Sequence, residues 1–261
     1  MSVREPAVAG LFYPSRAQRL QQDVESLLTE AAEQPTGPAP KALIVPHAGY
    51  TYSGPVAARA YRRLAGLADV IERVVLLGPA HRVFLHGMAV PESMAFATPL
   101  GEIPLDLVSI EAISDLPGVC RSDAAHAREH SLEVQLPFLQ AMLSDFRLVP
   151  VVVGRCEAGL VADLIDALWG GPETLIVISS DLSHFLPYPT AREVDGNTCQ
   201  RILDKDAQLS GDEACGAYVI NGLLRSRHCQ AMSIEALDLR NSGDTAGDRT
   251  QVVGYGAFAL H

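Results

Sequence analysis

The sequence is short of several things, and each shortage removes a class of protein. No apolar run approaches the ~18 residues that a membrane-crossing helix needs. Basic residues are outnumbered, 20 Lys and Arg against 31 Asp and Glu, for a formal charge of −11. A nucleic-acid backbone or an anionic membrane is therefore a poor main partner. The five cysteines (Cys120, Cys156, Cys199, Cys215, Cys229) are odd in number and contain no C-x-x-C pair. That argues against a disulfide frame or a structural zinc site and fits reduced thiols. The opening MSVREPAVAG lacks the long apolar core of a signal peptide. Phosphate-loop (GxxxxGK[ST]), serine-hydrolase (GxSxG) and zincin (HExxH) motifs are absent. The expectation is a cytoplasmic protein.

What is present is apolar and strand-like. With 48% hydrophobic residues over 261 positions, the chain can bury a large core as one α/β domain, 1–261. Three continuous apolar runs end in polar residues. ALIV (42–45) stops at Pro46 and delivers His47, VVLLGPA (74–80) runs into His81, and TLIVISSDLS (174–183) carries Asp181 towards His184. Such runs, bounded by Gly, Pro or Ser, predict strands buried on both faces of a parallel sheet. In open α/β sheets the carboxyl ends of the strands line the ligand crevice. Three strands ending in three histidines thus predict one polar site.

The remaining elements follow from periodicity and breakers. Residues 1–14 read as irregular, and 15–33 as an amphipathic helix with Ser15 as N-cap and Leu20, Val24, Leu27 and Leu28 inward. Residues 35–40 read as a stiff linker. Pro55 is expected to open a helix. Residues 81–106 suggest short antiparallel strands, a hairpin flap beside the site. A helix from Glu129 carries Leu132, Leu136, Leu139 and Leu143 on one face, bent at Pro137. A strand at 147–154 and helices at 157–169, 190–209 and 212–226 follow, and a final strand pair is joined by 241–250. The expected architecture is a three-layer mixed, largely parallel sheet flanked by helices.

Several residues could carry chemistry. Histidines after separate strands are candidates for metal ligation, since neutral imidazole is the commonest metal-binding side chain, although a lone turn histidine often only ties the backbone. Asp181 reads as a partner that orients a ligand and His184 as an acid/base, or both as helix-capping polar residues. His126, His130 and Glu133 share one face if helical, a competing chelate. The preferred version has only the helix start, Glu129-His130, reaching the main pocket, with His130 as a catalytic side chain and Glu129 as a substrate-binding one. In the loop 241–250, Asp244 is the best oxygen donor to complete His47 and His81, giving the two-His, one-carboxylate triad of non-haem Fe(II) oxygenases. Tyr50, Tyr52 and the 84–100 segment would shape the substrate pocket.

VPHAGYTYSG, LGPAHR, EHSLEVQLPFL and SSDLSH, preceded by PAVAGLFYP, resemble the Memo family in content, order and separation over essentially the whole chain. The resemblance implies a fold similar to class III extradiol dioxygenase catalytic subunits, which use non-haem Fe(II). It matches His47 and His81 to metal ligands, Asp181 and His184 to polar residues of the same cleft, and Glu129-His130 to a histidine motif near the active site. Animal Memo proteins carry a cysteine ligand near the C-terminal loop, where this chain reads Ser242-Gly243-Asp244-Thr245. Either Asp244 replaces that thiolate, which shifts the preference from Cu(I) towards Fe(II) or Mn(II), with Cu or Zn as alternatives, or the third ligand is lost. The implied function is an iron-dependent oxygenase on a small molecule. The alternative is a non-catalytic metal- or peptide-binding module, since animal Memo proteins are described as signalling adaptors. A Zn²⁺-assisted hydrolase is a third reading. Memo-like genes often accompany radical-SAM and AMMECR-type proteins, which suggests a shared pathway. Exposed strand edges make a homodimer an expectation.

Overall fold

The computed structural model describes residues 2–31 and 37–261. The last two positions of the expected first helix and the start of the expected linker at 35–36 lie outside them. In chain order the strands are β1 Val3–Arg4, β2 Ala42–Val45, β3 Arg73–Pro79, β4 Met88–Val90, β5 Ala95–Thr98, β6 Gly101–Pro104, β7 Val119–Arg121, β8 Arg147–Val153, β9 Thr174–Ser179, β10 His184–Leu186, β11 Ile234–Asn241 and β12 Val252–Leu260. The helices are α1 Ala17–Glu30, α2 Tyr50–Tyr61, α3 Leu107–Ile113, α4 Asp123–Ala127, α5 His130–Glu133, α6 Leu136–Met142, α7 Ala158–Ala167, α8 Tyr188–Leu203 and α9 Ala217–Arg225.

The central sheet runs β10-β12-β2-β9-β3-β8-β4-β7, with β11 on the far side of β12. Its middle, β2-β9-β3-β8, is parallel. The joints β12 to β2 and β4 to β8 are antiparallel. Every residue of β2 and β9, and all but Arg73 of β3, is buried, as the unbroken apolar runs require when helices cover both faces. One cover is α9 on β3 and β9, with α7 against it; another is α2 on β2 and β12, with α1 and α6 against it. The fold is the mixed, largely parallel α/β sheet expected. Among the described residues no helix is long and apolar enough to cross a membrane.

Local expectations fail where tertiary contacts intervene. Helix α1 starts at Ala17, and its cap position, Arg16, makes no side-chain cap bond, so Ser15 caps nothing. Pro55 lies inside α2 rather than opening it, because α2 begins five residues earlier against Gly49. Pro137 does not bend one long helix. It sits in the first turn of α6, where its missing N–H is harmless, and the segment divides into α5 and α6. The run from Thr174 ends as strand at Ser179, and α8 and α9 occupy 188–203 and 217–225. Residues 3–4 are not irregular: they add a parallel edge to β5. The β5-β6 hairpin forms, but it lies at the other end of the sheet from the histidines. Leu100, Glu102, Ile103 and Pro104 line a cleft with Arg73, Arg147 and Glu173, which stand where β3, β8 and β9 begin.

A buried carboxylate ties the N-terminal segment to this core. Glu133 accepts from Arg4 Nη1, Ala7 N, Val8 N and Tyr13 OH and has no exposed surface. Arg4 also donates to the carbonyls of His126 and Glu129. A buried charge is tolerated only with this degree of pairing.

Candidate metal centre

Because β2, β3 and β9 are parallel neighbours, their carboxyl ends open on one edge. His47 lies two residues beyond β2, His81 two beyond β3, and Asp181 two beyond β9. His130 arrives from another direction, as the first residue of α5. Gly78 makes that approach possible, since a Cβ there would lie 2.8 Å from Ser131 Oγ. Ring centroids are 5.2 Å apart for His47–His81, 5.5 Å for His47–His130 and 4.7 Å for His81–His130. One ligand atom from each of the three lies within 4.8 Å of the others.

The outer nitrogens of His47 and His81 are spoken for. His47 Nδ1 is 2.9 Å from Ser179 Oγ, and His81 Nδ1 is 2.9 Å from Glu129 Oε1. Glu129 also accepts from the backbone N–H of His81, His130 and Ser131. Burial alone would raise its pKa, but His81 and these N–H donors hold it down at about 2. An ionised carboxylate can only accept, so His81 donates from Nδ1 and keeps Nε2 free. Metal-bound histidines commonly carry such an orienting carboxylate. His130 Nδ1 is buried without a hydrogen-bond partner, with Glu129 Oε1 3.3 Å away, and a buried polar atom left so can be satisfied by a ligand.

Burial lowers His47 well below the usual histidine range, helped by the neighbouring His81, His130 and His184. Burial likewise lowers His130 to about 4, against the pull of Glu129. Both are therefore neutral near pH 7, the form that ligates a metal. Asp181 is buried, and its Oδ1 accepts from His47 N at 2.7 Å while Oδ2 stands 4.0 Å from His47 Nε2. Desolvation raises it to about 6, against the His47 N–H that favours its charge. The donor set fits a divalent transition-metal ion: imidazoles suit Zn, Cu, Fe and Ni.

Not every expected residue joins this cluster. His47, His81 and His130 converge, and Asp181 and Glu129 support them. Asp244 does not complete the set. The turn Ser242–Asp244 closes on itself, and its exposed carboxylate accepts from Asn241 N at 3.1 Å and Tyr188 OH at 2.5 Å. His130 stands where that carboxylate was expected. His184 is half-buried, with Nδ1 2.8 Å from Leu182 O. Tyr50 belongs to the core: its OH donates to Val134 O, and its ring packs on Tyr13 and Phe138. Tyr52 is 42% exposed at the start of α2. His126 is buried elsewhere, its Nε2 3.0 Å from Ala89 O, so the face shared with His130 and Glu133 is no chelate.

Cys215 was not anticipated. Its Sγ lies 3.3 Å from His47 Nε2, and burial with the nearby Asp181 charge pushes the thiol up to about 12. Gly216 N donates to Ser180 Oγ, and a Cβ on Gly216 would lie 2.6 Å from Ser180 Cβ. The Cys-Gly pair was thus the available signal, a glycine placed for close backbone approach beside a thiol.

A family profile described as Memo-like protein matches residues 4–259. The chain belongs to the Memo-like family. Relatives agree along their whole length: a MEMO1 family protein of Aquifex aeolicus is 36% identical over 267 residues, covering 98% of both chains. Another, from Methanobrevibacter smithii, is 34% identical over 278 residues, covering 97% of this chain and 98% of that one. Among solved structures, the uncharacterized protein JW3007 from Escherichia coli K12 has the same fold, with a TM-score of 0.50 at 13% identity, over 83% of this chain and 98% of that chain. In this Memo-like chain the histidine cluster can hold a metal ion.

Proposed function

We propose that the protein is a mononuclear metal enzyme of the oxygenase type, with Fe(II) held by His47, His81 and His130 and a small-molecule substrate. The convergence of three imidazoles, two with their outer nitrogens tied, carries this reading. Bound iron would supply Lewis acidity and electron exchange with O₂. The chain's part is to orient and to move protons. Ser179 and Glu129 hold the His47 and His81 rings in place. His184, its Nδ1 occupied by Leu182 O, has Nε2 left to take or give a proton at a substrate. Asp181 fixes the His47 backbone and sets a negative field beside that ring.

The all-imidazole set favours one second reading, since three histidines with an open position are also a catalytic zinc arrangement. Metal content of anaerobically purified wild type and His47→Ala, followed by oxygen uptake with a panel of catechols, separates them. Near-stoichiometric iron in wild type alone, with oxygen uptake lost in the mutant, is the expected result. Zinc with oxygen-independent ester hydrolysis would favour the hydrolase. Little metal in either protein after Fe(II) reconstitution would overturn both and favour a binding module.

A further inference from the structure

We infer that a buried relay from Tyr61 through Gln135 to Ser179 holds His47 as the tautomer protonated on Nδ1, leaving the Nε2 lone pair to face the histidine cluster. Each proton in the relay is placed by a group that cannot donate. Gln135 lies against Pro46 O at 2.9 Å, and a carbonyl only accepts, so the Gln135 amide nitrogen points there. The same nitrogen is 2.9 Å from Ser179 Oγ. Its oxygen is thereby turned to Tyr61 OH, which donates to it at 2.8 Å. The Ser179 hydroxyl has one proton, and that proton goes to Ser131 O at 2.6 Å. Ser179 Oγ can then only accept from its remaining neighbours, Gln135 Nε2 and His47 Nδ1. A lone pair on His47 Nδ1 would face a lone pair on Ser179, so the ring proton sits on Nδ1.

The relay is closed to water, because Tyr61, Gln135, Ser131 and Ser179 have no exposed surface. No solvent molecule can offer His47 an alternative partner on that side, and an unpaired buried polar atom there would cost about 1–3 kcal/mol. The relay also works against an opposing group. Asp181 Oδ2, 4.0 Å from Nε2, would favour a proton on Nε2. Ser179 is positioned for its task by the sheet, since it pairs with Val45 across the β2–β9 ladder, two residues before His47. With Nε2 unprotonated, the single Cys215 thiol proton has two acceptors, that atom at 3.3 Å and Asp181 O at 3.7 Å. Ser179 and Gln135 are therefore positioning residues that act through His47. The consequence for metal affinity rests on the metal-centre reading; the tautomer does not.

The test is a long-range proton–nitrogen correlation spectrum of metal-free protein labelled with nitrogen-15 in its histidines, near neutral pH, with His47→Ala used for assignment. The expected wild-type result is a protonated, pyrrole-type Nδ1 and a pyridine-type Nε2 for His47. In Ser179→Ala the proton should move to Nε2 or average between the two; Ser179→Thr, which keeps the hydroxyl, should retain the wild-type pattern. In anaerobic Fe(II) titrations Ser179→Ala should bind about 10- to 100-fold more weakly, the usual effect of losing a group that orients a metal-bound histidine. A wild-type His47 protonated on Nε2 overturns the inference even if the alanine variant fails to fold. So does an unchanged tautomer in folded Ser179→Ala. Wild type with the inferred tautomer but no Fe(II) binding would leave the relay standing and overturn the metal reading instead.

Discussion

At the amino end of the sheet Arg73 reaches Asp106 at 2.7 Å and Glu173 at 3.9 Å, beside a cleft of about 800 Å³ lined by six acidic residues and two arginines. At the carboxyl end three imidazoles crowd within 4.8 Å, with Glu129 2.9 Å from His81 and Asp181 4.0 Å from His47 beside them. At the amino end the Arg73 guanidinium is paired with carboxylates on two sides, Asp106 and Glu173. At the carboxyl end the Nδ1 atoms of His47 and His81 are bonded to Ser179 and Glu129, and three imidazoles converge beside them. Cavity size alone would send a search for chemistry to the wrong edge. Polar groups that pair with each other hold structure, whereas polar groups held apart from partners are prepared for a ligand.

The comparison breaks first at Glu133, the anchor beneath the histidine end. Glu133→Gln leaves the Arg4 guanidinium buried without its counter-charge and should lose about 3–5 kcal/mol in denaturant unfolding, whereas a paired surface charge would lose far less. Asp195 comes next. It is 2% exposed, accepts from Ser183 N and presses on Gly254, where a Cβ would lie 2.1 Å from its Oδ2. Burial raises its carboxyl to about 6. The folded state thus binds this proton more tightly than the unfolded chain, so the stability it contributes is full below about pH 4 and lost as pH rises through 6. Asp195→Asn should remove that decline, on the order of 2–3 kcal/mol across the window, read by unfolding at a series of pH values.

Two further variants set the ends against each other directly. Glu129→Gln takes the carboxylate from His81 Nδ1, and Fe(II) affinity should fall about 10- to 100-fold in anaerobic titration. Arg73→Met, at the amino end, should cost no more than about 1 kcal/mol, because its ion pairs are partly solvated, and should leave Fe(II) affinity unchanged. A metal effect from Arg73→Met equal to that of Glu129→Gln would erase the distinction between the two edges.

Much of this was legible beforehand, for definite reasons. The runs at Ala42, Val74 and Thr174 are apolar at every position, a pattern that a strand covered on both faces requires and a solvent-facing strand does not permit. Parallel strands expose their ends together, so His47, His81 and Asp181 had to share an edge. Asp244 misled because a Gly- and Asp-rich loop looks like a ligand donor wherever its carboxylate points, and here it points to Asn241 and Tyr188. Glu129 appeared as a pocket residue, but its role as acceptor for four N–H groups depends on where α5 begins.

The residue order alone determined the element alternation, the parallel core and the placing of two histidines at strand ends, because burial and periodicity act along the chain. The third member of the cluster, the thiol at His47 and the protonation of its ring were decided only in three dimensions. His130, Cys215 and Gln135 are 83, 168 and 88 positions from His47. Only packing across those separations brings a lone pair, a hydrogen-bond donor and a closed, water-free relay to the same ring.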